Sequence, residues 1–135
     1  MSKILIIDDE RGIRNTLKEI LADEGHEVEV AENGKQGLEM AQAKAYDLIF
    51  SDIKMPEMDG MEVLKALKQP HPTSPQGEET DPIGASIVMI SGHGDVETAV
   101  QALKAGAYDF LVKPLDLNRI LITTKYKLEW KSLKQ

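Results

Sequence analysis

The chain contains no cysteine. That absence excludes a disulfide framework, a thiolate metal site and a cysteine nucleophile, and it accords with a reducing compartment. Long apolar runs are missing as well. The run nearest the N-terminus, Ile4 to Ile7, is four residues. It is far short of a signal-peptide core of about 7–15 residues or a membrane span of about 20, so the expected location is the cytoplasm. Positive charge is also scarce: 16 Lys and Arg against 23 Asp and Glu leave a formal charge of −7. A domain with that balance does not seek nucleic-acid phosphates, which weighs against direct DNA binding.

What is present fits one domain of 135 residues, long enough to bury roughly two-thirds of its unfolded surface without a staple. Ile4–Ile7 is the pattern of a strand buried on both faces, and it ends in Asp8-Asp9-Glu10. Ile13, Leu17, Ile20 and Leu21 recur at helical spacing, with Gly25 as the stop. A short strand around Val28 and Val30 comes next, then an Asn33-Gly34 turn and a helix carrying Leu38, Met40, Ala41 and Ala45. Leu48-Ile49-Phe50 is a third strand, closed by Ser51 and Asp52 and by a loop marked with Pro56 and Asp59-Gly60. Met61, Val63, Leu64 and Leu67 define the third helix.

Between Gln69 and Ser86 apolar periodicity stops, and Pro70, Pro72, Pro75 and Pro82 mark a surface loop. Ile87–Ile90 is a fourth buried strand leading into Ser91-Gly92-His93-Gly94. Val96, Ala99, Val100 and Leu103 make a fourth helix that Gly106 stops. Tyr108, Phe110, Leu111 and Val112 form a fifth strand ending at Lys113-Pro114. A last helix carries Leu117, Ile120, Leu121, Thr124 and Leu128 on one stripe, then a basic end with Trp130.

Five strands alternating with helices predict an α/β fold: a parallel sheet with helices on both faces and all strand carboxyl ends along one edge. That edge is where open α/β sheets take their ligands. Asp8, Asp9, Asp52, Ser91 and Lys113 should therefore converge. Three close carboxylates repel unless a cation joins them. With no histidine or thiolate among them, an oxygen-seeking ion fits, Mg²⁺ first. A carboxylate can also be a nucleophile and form an aspartyl phosphate, for which Mg²⁺, the Lys113 ammonium and the Ser91 hydroxyl would neutralise and hold phosphate oxygens. Each residue also has a plain structural reading, as a solvated acid, a turn cap or a surface lysine.

Taken together, the motifs I-L-I-I-D-D-E, D-L-I-F-S-D-I-K-M-P-E-M-D-G, V-M-I-S-G-H-G and G-A-Y-D-F-L-V-K-P resemble, in order, the receiver domain of bacterial two-component response regulators. The resemblance covers roughly residues 2–124 apart from the Gln69–Ser86 loop. It implies a doubly wound, flavodoxin-like sheet of order 2-1-3-4-5. It also implies Asp52 as phosphoacceptor, with Asp8, Asp9, Asp52 and the backbone carbonyl of Lys54 around Mg²⁺. Ser91 then matches the switch hydroxyl, Lys113 the phosphate-binding lysine and Phe110 the switch aromatic, with a cis bond to Pro114. Phe110 equally suits a plain buried strand residue. His93 falls where the family tunes phosphate lifetime, and otherwise reads as an exposed loop histidine.

The implied function is a phosphorylation-controlled switch fed by a histidine kinase, with self-phosphorylation and self-dephosphorylation as its only chemistry. Its output surface would be the fourth helix, fifth strand and last helix. S-G-H-G and the later D-V-E-T-A-V-Q-A-L-K-A-G-A-Y-D-F-L-V-K-P-L look most like receivers of nitrogen-regulation-class activators, usually joined to an ATPase and a DNA-binding domain. No P-loop or helix-turn-helix occurs here, so the chain is expected to stand alone or to be the front of a longer regulator. Residues 125–135 would then begin a linker or homodimer seam. A metal-dependent phosphatase would want an acid where Lys54 stands, and a flavin carrier would want a Ser/Thr/Gly-rich loop where Asp8-Asp9-Glu10 stands.

Overall fold

The computed structural model describes residues 2–68, 86–92 and 96–133, with side chains described as far as Leu128. Ten elements alternate along it: β1 (Lys3–Ile7), α1 (Arg11–Asp23), β2 (Glu27–Ala31), α2 (Gly34–Ala43), β3 (Leu48–Asp52), α3 (Gly60–Lys68), β4 (Ser86–Ser91), α4 (Val96–Lys104), β5 (Asp109–Val112) and α5 (Leu117–Leu133). The five strands form one parallel sheet of order β2-β1-β3-β4-β5, as expected. The long loop predicted over 69–86 lies outside the described residues except for Ser86, which opens β4. His93 also lies outside them.

The central strands read as unbroken apolar runs because both of their faces are covered. Leu5, Ile7, Ile49, Ile87 and Met89 face α2, α3 and α4 through Ala41, Val63, Leu64, Leu67 and Ala102. Ile4, Ile6, Leu48, Phe50, Val88 and Ile90 point the other way, onto Leu17 and Leu21 of α1 and Ile120 of α5. Side chains alternating across the sheet thus build two cores from the same strands.

Local chemistry sets the element ends. Gly25 adopts φ +91° after α1, and its N–H donates to the Ala22 carbonyl at 2.9 Å. That left-handed residue is the usual helix stop. Asn33 is less a turn than a cap: its Oδ1 accepts from the Gln36 N–H at 2.8 Å, and Gly34 is the first residue of α2. The Asp59 carboxylate caps α3 in the same way, accepting from the Glu62 N–H at 2.9 Å. Ala45 lies beyond the end of α2, and Tyr108 precedes β5.

The fourth helix forms where its apolar residues placed it. Of those residues Val96, Val100 and Leu103 are exposed, and Ala102 is the helix's buried residue. Small Ala102, Ala105 and Ala107 take the core side, so the larger apolar stripe is turned outward. Val112 on β5 and Ile122 and Tyr126 on α5, which covers the other face of the sheet, are exposed as well. Among the described residues no helix is long and apolar enough to cross a membrane.

Candidate functional site

Parallel register brings the strand ends together. Asp8 directly follows β1 and is 1% exposed, while Asp52 ends β3 and is 3% exposed. One carboxylate oxygen from each of Asp8, Asp9 and Asp52 lies within 4.8 Å of the other two, with Asp9 on the open side. Ser91 is buried at the end of the neighbouring β4, one residue past Ile90, which is in register with Asp52. Lys113 follows β5, and its backbone N–H is tied to the Ser91 carbonyl at 2.8 Å.

The Lys113 ammonium stands 3.4 Å from Asp52 Oδ2 and 3.6 Å from Asp8 Oδ2, with its side chain only 16% exposed. The expected group of Asp8, Asp9, Asp52 and Lys113 is therefore assembled, with Ser91 beside it. The Lys113–Pro114 peptide is cis. Lys54 is exposed in the loop after β3, lining a shallow cavity with Ile53, Met55, Pro56 and Asp59. Phe110 is half-buried in β5 and packs on the core that faces α2, α3 and α4.

Two residues enter that sequence reasoning gave no role. Glu10 accepts a hydrogen bond from Lys113 Nζ at 2.9 Å across 103 positions of chain. Arg14 Nη1 donates to the Asp8 backbone carbonyl at 2.8 Å, holding the loop after β1. Arg14 lies one turn into α1 and could have been suspected from its distance to Asp8. No local pattern pairs Glu10 with Lys113.

Glycine permits the close approach behind Asp52. A Cβ on Gly60 would overlap the Asp52 carbonyl oxygen and stand 2.9 Å from the Ile53 Cα, so the start of α3 can press against the strand end. The Gly60 N–H donates to the Ile53 carbonyl at 2.8 Å, closing the loop. Within this loop Glu57 adopts φ +69°, a left-handed conformation that costs a residue with a Cβ.

The electrostatics reflect burial. Desolvation, then the charge of Asp8, pushes the Asp52 carboxyl up from its ordinary value near 3.8 to about 6, against the pull of Lys113. Burial likewise raises Asp8, although the Glu10 N–H bonded to its Oδ1 at 2.8 Å favours the charged form. Burial opposes the charge on Lys113, but the hydrogen bond to Glu10 and the charges of Asp8 and Asp52 outweigh it and raise its pKa. The other oxygen of Asp8, Oδ2, is buried with no hydrogen-bond partner. An all-oxygen acidic cluster with an unsatisfied buried carboxylate oxygen suits a hard divalent cation.

This fold and this acidic edge define a class, and comparison with known proteins agrees. The description "Response regulator receiver domain" matches residues 4–125. The nitrogen assimilation regulatory protein NtrX of Azorhizobium caulinodans is 41% identical over 128 residues, covering 93% of this chain and 26% of that protein. The regulatory protein AtoC of Escherichia coli K12 is 33% identical over 135 residues, 100% of this chain and 27% of that one. Among solved structures, a CheY-like receiver domain protein from Methanospirillum hungatei superposes with TM-score 0.85 at 31% identity, covering 100% of this chain and 99% of its own. NtrX from Brucella abortus superposes with TM-score 0.80 at 38% identity, covering 98% of this chain and 28% of its own.

The chain belongs to the response regulator receiver family, the phosphoacceptor domains of two-component signalling. Its relatives include NtrX-like and other transcriptional regulators, and it spans about a quarter of the length of the curated relatives it matches. Receiver domains bind Mg²⁺ at an acidic pocket, and the cluster of Asp8, Asp9 and Asp52 is of that composition.

Proposed function

We propose that Asp52 is the phosphoacceptor of a switch fed by a histidine kinase. A carboxylate oxygen of Asp52 attacks phosphorus, the phosphorus–nitrogen bond of the donor phosphohistidine breaks, and its electron pair returns to the imidazole, which takes up a proton. Water later attacks the phosphorus and restores the carboxylate with release of inorganic phosphate. The observation that carries this reading is the Lys113 ammonium at 3.4 Å from a buried Asp52 carboxylate, on the edge that also presents Asp8 and Asp9.

Mg²⁺ held by Asp8, Asp9, Asp52 and the carbonyl of Lys54 would supply charge neutralisation at the phosphoryl oxygens. Lys113 supplies a second positive charge, and the Ser91 hydroxyl can donate to a phosphoryl oxygen once that group has arrived. Phosphorylation adds roughly −1.5 to −2 charges at the strand edge, and such a local change biases a two-state element. Phe110, three residues before Lys113 on β5, is the residue through which that bias reaches the outer face.

The output surface is the face of α4, β5 and α5. Exposed Val96, Val100, Leu103, Val112, Ile122 and Tyr126 support that assignment, since a receiver must dock on itself or on an output domain. Continuation of α5 to Leu133, past the receiver boundary proposed at 124, supports residues 125–135 as the start of a linker. An ATPase and a DNA-binding domain in a longer chain are the proposed outputs, in keeping with relatives about four times as long.

Intact mass after incubation with Mg²⁺ and acetyl phosphate tests the chemistry. One phosphoryl group should be gained by the wild type, and none by Asp52→Asn or in the presence of chelator. A gain that survives Asp52→Asn would place the acceptor elsewhere.

A further inference from the structure

We infer that Glu10 is a positioning residue of the phosphoryl site, holding the Lys113 ammonium at the rim and so opposing the phosphorylated state. The inference rests on the phosphoacceptor reading above and adds to it a residue that reading does not use.

The nearest anion to the Lys113 ammonium is not Asp52. Glu10 Oε1 lies at 2.9 Å, within hydrogen-bond distance, whereas Asp52 Oδ2 and Asp8 Oδ2 stand off at 3.4 and 3.6 Å. Glu10 occupies the N-cap position of α1 with extended backbone, φ −91° and ψ 114°, yet its side chain makes no capping bond. The short polar residues favoured there, Ser, Thr, Asp and Asn, turn an oxygen back onto the first helical N–H groups. Here the carboxylate reaches across to the end of β5 instead. Asp8 fixes its backbone, since the Glu10 N–H donates to Asp8 Oδ1 at 2.8 Å. Glu10 is thus anchored by its main chain to one acid of the cluster and by its side chain to the ammonium that serves it.

A phosphoryl group on Asp52 requires that ammonium closer in, where it can donate to a phosphoryl oxygen. The Glu10 pairing is made in the unphosphorylated chain and weakened or lost in the phosphorylated one. It therefore stabilises only the former. Glu10 is 59% exposed in its side chain, so the pairing is partly screened and its effect modest, about two- to five-fold in the equilibrium.

Beryllofluoride, which mimics a phosphoryl group on a carboxylate, reads that equilibrium directly in the presence of Mg²⁺. Glu10→Gln should bind it about two- to five-fold more tightly than the wild type. Glu10→Asp keeps the charge but shortens the reach, and should behave like Glu10→Gln. In a Lys113→Met background Glu10→Gln should have no further effect. If Glu10→Asp instead binds like the wild type, or if the Glu10→Gln effect persists without Lys113, Glu10 acts by simple repulsion and the positioning role is wrong. Should Lys113→Met bind no beryllofluoride, Glu10→Asp alone decides. Wild-type protein that neither binds beryllofluoride nor gains phosphate on Asp52 would sink the phosphoacceptor reading and this inference together. Wild-type binding with Glu10→Gln unchanged would sink only this one.

Discussion

Replacing Asp52 by Asn should stabilise the metal-free protein while abolishing phosphate acceptance. The reason is the environment of the carboxylate: it is 3% exposed, faces Asp8, and is held near 6 instead of near 3.8. At about 1.4 kcal/mol per pH unit, that difference costs the folded state up to about 3 kcal/mol once the group is ionised in both states. Asn removes the charge and leaves Lys113 paired with Asp8 and Glu10. A gain of about 1–3 kcal/mol corresponds to a melting temperature higher by about 3–10 °C for a domain of this size.

Linkage sets the sign and the window. The folded state holds the Asp52 proton more tightly than the unfolded chain does. Raising the pH from about 4 through about 6 therefore strips wild-type stability, and above about 7 the loss is complete and constant. Thermal melts of both proteins in chelator, from pH 4 to pH 8, should show the Asn advantage absent near pH 4, growing through about pH 6 and flat above about 7. Hydrogen bonding by the carboxamide does not titrate in this range, so the pH dependence isolates the charge. Equal melting temperatures at pH 7.5, or an advantage undiminished at pH 4, would refute the electrostatic reasoning. Added Mg²⁺ should raise the wild type more than the variant.

Lys113→Met should lower metal-free stability by about 1–3 kcal/mol, because Asp8 and Asp52 lose their shared ammonium; Mg²⁺ should restore more of the loss than it adds to the wild type, as seen by melting with and without the ion. Glu57→Gly relieves a left-handed backbone at φ +69° and should gain about 0.5–1 kcal/mol in urea titrations, after the entropy cost of glycine in the unfolded chain. Gly60→Ala forces a Cβ against the Asp52 carbonyl and should cost about 1–3 kcal/mol or more, with slower phosphate gain from acetyl phosphate because the strand end must shift.

The sheet was legible in the sequence because its strands are buried on both faces. Ile4–Ile7, Leu48–Phe50 and Ile87–Ile90 each appear as an uninterrupted apolar run, and the polar residues that close the runs, Asp8, Ser51-Asp52 and Ser91, bring the chain to the edge. The acids and Lys113 were legible for the same reason. Helix α4 was legible as a helix, but periodicity reveals an apolar stripe without saying which way it faces. Val96, Val100 and Leu103 form a stripe, but the sheet takes Ala102. Leu117, read on one stripe of α5 with Ile120 and Thr124, is 42% exposed, whereas those two are buried. The Thr124 hydroxyl satisfies itself by donating to the Ile120 carbonyl at 2.8 Å, which lets a polar residue lie inside. Glu10 escaped notice because its partner is defined only by the fold.

The position of β5 has a consequence for how the molecule fails. β5 is one of the two edge strands, four residues long, with Leu111 its one buried side chain. The three acids, by contrast, lie at the ends of strands nearer the middle of the sheet. Peeling β5 from β4 would carry away Lys113 and leave the three carboxylates in place without their shared ammonium. Reactive competence is then set by a local opening and is lost well before the domain melts. Amide exchange should find Lys113, whose N–H rests on the Ser91 carbonyl, less protected than Phe50 or Ile6. A molecule built this way reports on the integrity of an edge seam each time it is asked to respond.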